Sequence, residues 1–532
     1  MALTRQTAFA GTPSRTGGQT LGQNIARMGE TFGLTRGKGR LALPVVLYLV
    51  AIAVPIAFYA GSLYMTTLRL LLLVMIVPLT IRLILGHFGR ILPTDILFFL
   101  HIAWAGVAIA VNSPSQLVLH IGSNGIEFLG GYVLARAYIR SAEDFTALCR
   151  GIIFVTLCSL PFAILETRSG HPMIVEWIRG IPGLTSVVPV DIEKRMGLER
   201  VQVMFAHPIH YGLFASVAFS MAFIGMKGLY GTGTRWLVSA AVALCVFLSL
   251  SSGALLALVL QLALIVWAFA LRNVQRRWLI LLGLFAVLYV AIDVFSTRDP
   301  LRVFMSYATF SAHNAYWRGI IFDWGIINIQ GSPVFGIGLK NWVRPHFMNS
   351  ASVDNFWLLI AMRYGIPGFA LLAAGYILGM FQIGRRDFNA SPLLLQLRRV
   401  WMFTFLGLTF TLATVHVWTA AYSFVFFVYG AGLWMVTTPG APAGTAPAGK
   451  IPAGGRAQGA GAATAQRDRD TSVFARTPEN PLPRQDAALP AFPRAGLALA
   501  RGAPQDPARA AGDAPRYTRF PPGGSRDDLP QG

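Results

Sequence analysis

Charge is what this sequence has least of. Asp, Glu, Lys and Arg make up 13% of the chain and hydrophobic residues 54%, whereas a soluble domain carries about 25% charged residues to keep its surface wet. One very large soluble core is excluded as well. The apolar residues come in blocks between Leu41 and Trp434, each of roughly 17–22 residues, the length a helix needs to cross the hydrocarbon of a bilayer. Cysteine is nearly absent. Cys149, Cys158 and Cys245 lie in or beside these blocks and offer neither a disulfide framework nor a zinc spacing. The signatures of soluble enzymes are missing too: there is no P-loop, no Gly-x-Gly-x-x-Gly after a strand, no Gly-x-Ser-x-Gly elbow and no His/Cys cluster with metal spacing. No Asp-x-Asp sits on a loop to carry a metal for a nucleotide sugar, since the Asp468/Asp470 pair falls in a polar tail. The first apolar run begins only at Leu41 and lacks a small-residue cleavage site, so no cleavable signal peptide is expected.

What remains is an all-α, polytopic membrane protein. The apolar blocks predict twelve spans, at 41–59, 65–86, 95–111, 122–137, 151–166, 207–226, 236–250, 253–271, 278–294, 357–382, 400–416 and 420–437. Lys and Arg in short loops favour the cytoplasmic side. The connections near 60–64, 112–121, 251–252 and 417–419 contain neither, while those between them hold Arg82, Arg90, Arg136, Arg140, Arg150, Lys227, Arg235, Arg272, Arg276, Arg277, Arg385, Arg386, Arg398 and Arg399. The alternation is unbroken, which makes both termini cytoplasmic and explains most of the net charge of +21. Nucleic-acid binding is therefore not expected from that charge.

Two outward connections, 167–206 and 295–356, are long and mix Arg and Lys with Asp, Glu, His, Trp and Gly. Loops of that length are uncommon unless functional or disordered, and their aromatic content argues for folded structure. The membrane domain is thus 41–437 with these two loops. Segments 1–40 and 438–532 are rich in Gly, Ala, Pro, Arg and Ser and too poor in large apolar residues to offset their ordering entropy, so both are expected to be disordered.

Polar residues inside the spans each need a partner or a task. Arg69, Glu127 and Glu166 are such residues, although Arg69 can reach outer headgroups and Glu166 can simply be interfacial. Stronger signals stand at the loop ends. The first loop closes on Glu199-Arg200-Val201-Gln202-Val203-Met204-Phe205-Ala206-His207-Pro208-Ile209-His210-Tyr211-Gly212. The second contains His313, Asn314-Ala315-Tyr316-Trp317-Arg318 and Ser332-Pro333-Val334-Phe335-Gly336-Ile337-Gly338, and the tenth span opens with Asp354-Asn355 and continues to Gly365-Ile366-Pro367-Gly368.

These motifs resemble the O-antigen ligase/polymerase family, bacterial membrane glycosyltransferases that act on polyprenyl-diphosphate-linked glycans, over roughly residues 60–435. The family's Arg, with Phe five and Pro eight residues on, matches Arg200, Phe205 and Pro208, with Val203 where Gly is usual. Its second Arg, ahead of Pro-x-x-Gly-x-Gly, matches Arg318 with Pro333, Gly336 and Gly338. Its ligase motif, His then Asn, nine residues and Gly-x-x-Gly, matches Asn355, Gly365 and Gly368, but the His is Asp354. The resemblance implies a GT-C-like architecture in the bacterial inner membrane, undecaprenyl-diphosphate-linked glycan as donor and acceptor, contact with membrane lipid, and a polysaccharide co-polymerase and a flippase as partners. Loss of the His favours a repeat-unit polymerase of exopolysaccharide or surface polysaccharide over a ligase that transfers finished glycan to lipid A–core or protein. A flippase or transporter of the same lipid-linked oligosaccharide is the reading from another class. It would place ionisable residues near the bilayer midplane and often shows two similar halves.

The chemistry fits the residues. A diphosphate is already a good leaving group, so neither cofactor nor metal is called for, and what the reaction needs is cationic stabilisation of the departing anion. Guanidinium stays charged and its fork matches two phosphate oxygens, which suits Arg200 and Arg318. Asp354 is placed to serve as base for the acceptor hydroxyl, with His207, His210 and His313 as alternatives, and Arg69 joins the histidines as a substrate contact. Loop salt bridges would account equally for either arginine, and a helix cap for Asp354.

Overall fold

The computed structural model describes residues 41–439 except 62, 189–192, 297–299, 301–302 and 304–311. These residues fall in the first of two units of the chain, Met1–Gly449, while the second, Lys450–Gly532, lies outside them. The expectations for 1–40 and for nearly all of 438–532 therefore also lie outside the described residues.

Apolar blocks become helices whose ends are set by local chemistry. In chain order these are α1 Leu43–Ala53, α2 Thr67–Ile84, α3 Pro93–Asn112, α4 Leu117–Gly125, α5 Gly131–Tyr138, α6 Ala142–Ser169, α7 Met173–Arg179 and α8 Pro208–Ser220. There follow α9 Thr232–Leu248, α10 Ser252–Ala270, α11 Arg277–Phe295, α12 Ala312–Gly331, α13 Phe356–Gly384, α14 Pro392–Leu412, α15 Thr419–Gly430 and α16 Trp434–Thr437. Ser141, Ser251 and Ser391 cap α6, α10 and α14 by accepting backbone N–H groups with their hydroxyls. Gly170 stops α6 in the left-handed region, at φ 74°. Among the described residues, nine helices are long and apolar enough to cross a membrane, and the sheet is a two-stranded hairpin, β1 Ala57–Ala60 with β2 Leu63–Thr66. The chain is an all-α, multi-pass membrane protein.

The remaining three expected spans take other forms. The first is not a helix over 41–59. It ends at Ala53 because Pro55 cannot continue it, and the chain turns into the hairpin. The seventh is the short α9. The fourth runs from Leu117 to Tyr138 through a π-turn at Ile126–Gly130. That turn rotates Glu127 onto the Arg69 side, where Arg69 NH2 donates to Glu127 Oε1 at 2.7 Å. The second long loop is also not irregular throughout, since it folds the twenty-residue α12.

Packing brings the loop-bearing ends together. α3 and α13 run antiparallel, with Thr94 Oγ1 donating to Gly375 O at 3.3 Å, His101 Nδ1 2.8 Å from Gly368 O, and Trp104 Nε1 donating to Tyr364 O at 3.0 Å. Glycine is required for this approach: a Cβ on Gly375 would stand 2.7 Å from the Phe98 ring. Phe98 packs edge-on to Phe128, Tyr132 and Phe426 in the aromatic centre of the bundle. At the same end as α13's last turns, Arg136 grips Asp95 with Nε and NH2, both at 3.0 Å, while Tyr132 donates to the same carboxylate and Leu92 N caps it at 2.7 Å. By contrast, α11 has no buried residue at all.

The Asp95–Arg136 pair is buried and fully hydrogen-bonded, so breaking one side leaves an uncompensated charge. Asp95→Asn should cost about 3–5 kcal/mol, read as a lower midpoint of thermal unfolding in detergent. The double substitution Asp95→Leu with Arg136→Met should recover much of the loss, and an Asp95→Asn midpoint equal to that of the parent would show that the pair does not hold the helices.

Candidate functional site

The first loop is tied to the bundle by a buried carboxylate. Glu166, near the end of α6, accepts from Gln202 N at 2.7 Å and from Val203 N at 2.9 Å. Val201 N donates to Leu248 O at 3.4 Å, and Thr167 Oγ1 donates to Glu199 O at 3.0 Å. Val203 sits at φ 49°, a left-handed conformation costly for a β-branched residue and open to the Gly of the motif it resembles. The two amide bonds to Glu166 hold the turn despite that cost, and with it Arg200. His207 then caps α8, its Nδ1 accepting from Ile209 N at 3.1 Å.

Arg200 is half-buried and its Nε has no hydrogen-bond partner among the described residues. The acid beside it, Glu199, is taken by Lys194 at 2.8 Å. Burial and the neighbouring Arg195 push the Arg200 guanidinium down to about 10. Arg195 donates to Leu250 O at 2.9 Å and acts electrostatically on both Arg200 and Arg318, which puts the three arginines in one neighbourhood.

The second loop and α13 are interlocked through backbone. α13 breaks at Gly365, whose φ 71° and ψ 179° are open to glycine alone. Into the break fits the turn after α12: Ile366 N donates to Pro333 O at 2.8 Å, Ile337 N to Met362 O at 2.8 Å and Gly338 N to Arg363 O at 3.1 Å. A Cβ on Gly365 would lie 2.1 Å from Val334 O, and one on Gly336 2.4 Å from Met362 O. Asn112, at the end of α3, closes the joint by donating to Phe335 O at 3.2 Å and Gly336 O at 3.1 Å. The spaced glycines of both motifs are two halves of one contact.

This joint sets Arg318 against Asp354. Both line a small pocket with Asn355, Leu358 and Ala413. The cap of α13 is Asn355, whose Oδ1 accepts from Leu358 N at 3.0 Å. Asp354 is left outside that task and accepts from Ser352 Oγ at 2.8 Å. Burial holds the Arg318 guanidinium below its ordinary range, opposed by Asp354 and reinforced by Arg195, and one Arg318 amine is buried without a partner. Neither Arg200 nor Arg318 forms an ion pair among the described residues.

The histidines separate. His207 and His210 pack on Trp418, with ring centroids 5.9 and 4.0 Å away, and His416 stacks on the same indole at 5.4 Å. His207 also feels Arg200 and Arg195, so it belongs to the arginine neighbourhood. His210 is fully buried behind it. His313 lies in the first turn of α12 with its side chain outside the described residues. Arg69 stands apart from the group: its guanidinium serves Tyr64 O at 2.7 Å and Glu127 at 2.7 Å. Sequence reading missed Arg195, which looks like any loop arginine. It missed His416 and Trp418, which follow a span end. It also missed Arg363, a charged residue within a predicted span that should have been singled out on that ground.

An unpaired, half-buried cation is a cost that an anion would relieve. The folded-state value of Arg200 lies below its unfolded one, so the charge lowers stability at every pH below about 10, and the penalty fades as pH rises through that value. Arg200→Met should therefore raise the unfolding midpoint at pH 7, by on the order of 1–2 kcal/mol of stability, with the gain shrinking above pH 10. A lower midpoint for the variant at pH 7 would assign Arg200 a structural role instead.

Residues 237–373 match the sequence family described as O-antigen ligase, and no curated protein matches the chain. The matched stretch holds Arg318, the Pro333–Gly338 turn, Asp354 and the broken start of α13, while Arg200 precedes it. That stretch is similar to the O-antigen ligase family, and it belongs to a chain whose long apolar helices make it a multi-pass membrane protein.

Proposed function

We propose that the protein polymerises polyprenyl-diphosphate-linked oligosaccharide repeat units at the periplasmic face of the inner membrane. The observation that carries this reading is the placement of Asp354: it shares a pocket with Arg318 while Asn355 performs the capping, so a carboxylate and a guanidinium with one unpartnered amine line one space. In the reaction, a sugar hydroxyl of the incoming unit attacks the anomeric carbon of the lipid-linked chain. The bond from that carbon to the diphosphate oxygen breaks, and the hydroxyl proton passes to the Asp354 carboxylate. Polyprenyl diphosphate departs with its new charge held by Arg318 and Arg200, whose forks each match two phosphate oxygens. Arg195 adds to the positive field that draws the diphosphate in. The growing chain would enter beside the helices and the acceptor unit from the loop side, with a flippase supplying units and a co-polymerase setting length.

Substitution of Asp for the His of the ligase motif favours polymerase over ligase. The clustering of the site's charges toward one end of the bundle, with Arg69 in the first turn of α2 neutralised by Glu127, speaks against transport. Purified protein with a lipid-diphosphate repeat unit separates the three: a ladder of products means polymerase, transfer to a different acceptor means ligase, and neither means transport. Asp354→Asn keeps size and hydrogen bonding while removing basicity and should lower turnover by about 10²–10⁴-fold. Arg318→Lys should also impair turnover with folding intact, because an ammonium cannot grip two oxygens at once. Near-normal activity in Asp354→Asn would move the base to His207 or His313.

The orientation follows from the Lys/Arg alternation. In a background in which the exposed Cys158 is Ser, Gly180→Cys and Gln330→Cys should react with an impermeant maleimide on intact spheroplasted cells. Labelling of both only after lysis would reverse the topology and place the site in the cytoplasm.

A further inference from the structure

Arg363 lies on the short first half of the broken α13, two residues before Gly365. It is half-buried and makes no ion pair among the described residues. Its backbone carbonyl is fixed by Gly338 N at 3.1 Å, so the interlock that positions Arg318 and Asp354 positions it too. It acts electrostatically on the His120 ring, on Tyr422 and on His416. Burial and Arg363 together hold His416 down to about 3, which leaves that imidazole uncharged at neutral pH. Glu127, which shares Tyr422 as a neighbour, is already held by Arg69 at 2.7 Å.

A row of side chains joins Arg363 to the reaction centre. His416 stacks on Trp418, His207 packs edge-on to the same indole, and His207 lies in the field of Arg200. His120 Nε2 is 2.9 Å from Tyr364 OH and lines the near end. Indole, imidazole and phenol surfaces of this kind suit sugar rings and hydroxyls. Asp354 and Arg363 are about 13 Å apart along the chain of α13, more than two helical turns.

We propose that Arg363 is a separate anion contact that receives an acidic substituent, carboxylate or phosphate, carried by the glycan some sugars away from the reacting bond. The inference rests on reading the site as glycan-transferring, and makes the substrate class an acidic polysaccharide. The other source of such an anion is a phospholipid headgroup reaching in from the outer leaflet.

Binding tests it without requiring turnover. The probes are a soluble tetrasaccharide containing glucuronate and its carboxyl-reduced counterpart, titrated against full-length protein in phosphatidylcholine nanodiscs. A charge-assisted contact predicts about tenfold tighter binding of the acidic probe. Arg363→Gln should abolish that difference, Arg363→Lys should keep part of it, and Arg318→Gln should leave it. Equal affinities in the parent, no binding of either probe, or a preference that survives Arg363→Gln overturns the assignment. A preference lost in Arg318→Gln and kept in Arg363→Gln places the carboxylate at the diphosphate cations and overturns it as well. Loss of the preference when one third of the lipid is phosphatidylglycerol assigns Arg363 to headgroups. Failure of the parent to elongate a lipid-linked unit while the probe preference stands would sink the polymerase reading and spare this one.

Discussion

The contact between the Pro333–Gly338 turn and the break in α13 is made by backbone on both sides. Carbonyls at the end of the half-helix, orphaned by the break, accept from Ile337 and Gly338, and the first free amide of the next segment donates to Pro333. No side chain stands between them, because any Cβ at Gly336 or Gly365 would overlap a carbonyl. Backbone geometry is stiffer than side-chain geometry, so the joint transmits the position of α12 to α13 with little slack. Arg318, on α12, and Asp354, ahead of α13, face each other because of it.

The rest of the site is assembled at a cost. Arg200 and Arg318 each keep a buried nitrogen with no partner, and Val203 stays left-handed. Such features persist where surrounding structure over-determines them. Here Glu166 supplies that constraint for the first loop, with two short bonds to consecutive amides. Fixed donors aimed at a place where negative charge will develop are worth most when they need not reorganise. In the proposed reaction Arg200 and Arg318, set by a carboxylate-clamped turn and a backbone joint, meet that condition, whereas cations paired with acids would first have to let go.

Much of this was legible in the residues. Length and hydropathy located every helix read as a span, since lipid leaves the backbone almost no alternative. They erred at 41–59, where a single proline outweighed an apolar run, and they could not foresee the π-turn at Ile126–Gly130, which answers to the Arg69–Glu127 pair. Motif spacing found Arg200, Arg318 and Asp354 but not their surroundings. Which of Asp354 and Asn355 caps α13 depends on a one-residue choice of backbone conformation, and both residue types are good caps. Arg195 and His416 join the candidate site through proximity across the fold, which nothing in their local sequence encodes, whereas Arg363, a charge inside an apolar run, carried a local signal.

One helix stands outside this economy of contacts. α11 carries nineteen residues, none of them buried, and touches the bundle through Trp278 against Phe403 near its first turn. Elsewhere a change of side chain meets a neighbour's shape. Along α11, where no residue is buried, it meets far less of a neighbour's fixed shape. Its sequence is therefore free to drift so long as hydropathy and length are kept, and its tilt is free to follow the thickness of the membrane. The helix holds its place by hydropathy and length, whereas α12 and the Pro333–Gly338 turn beyond it take their positions from the joint with α13.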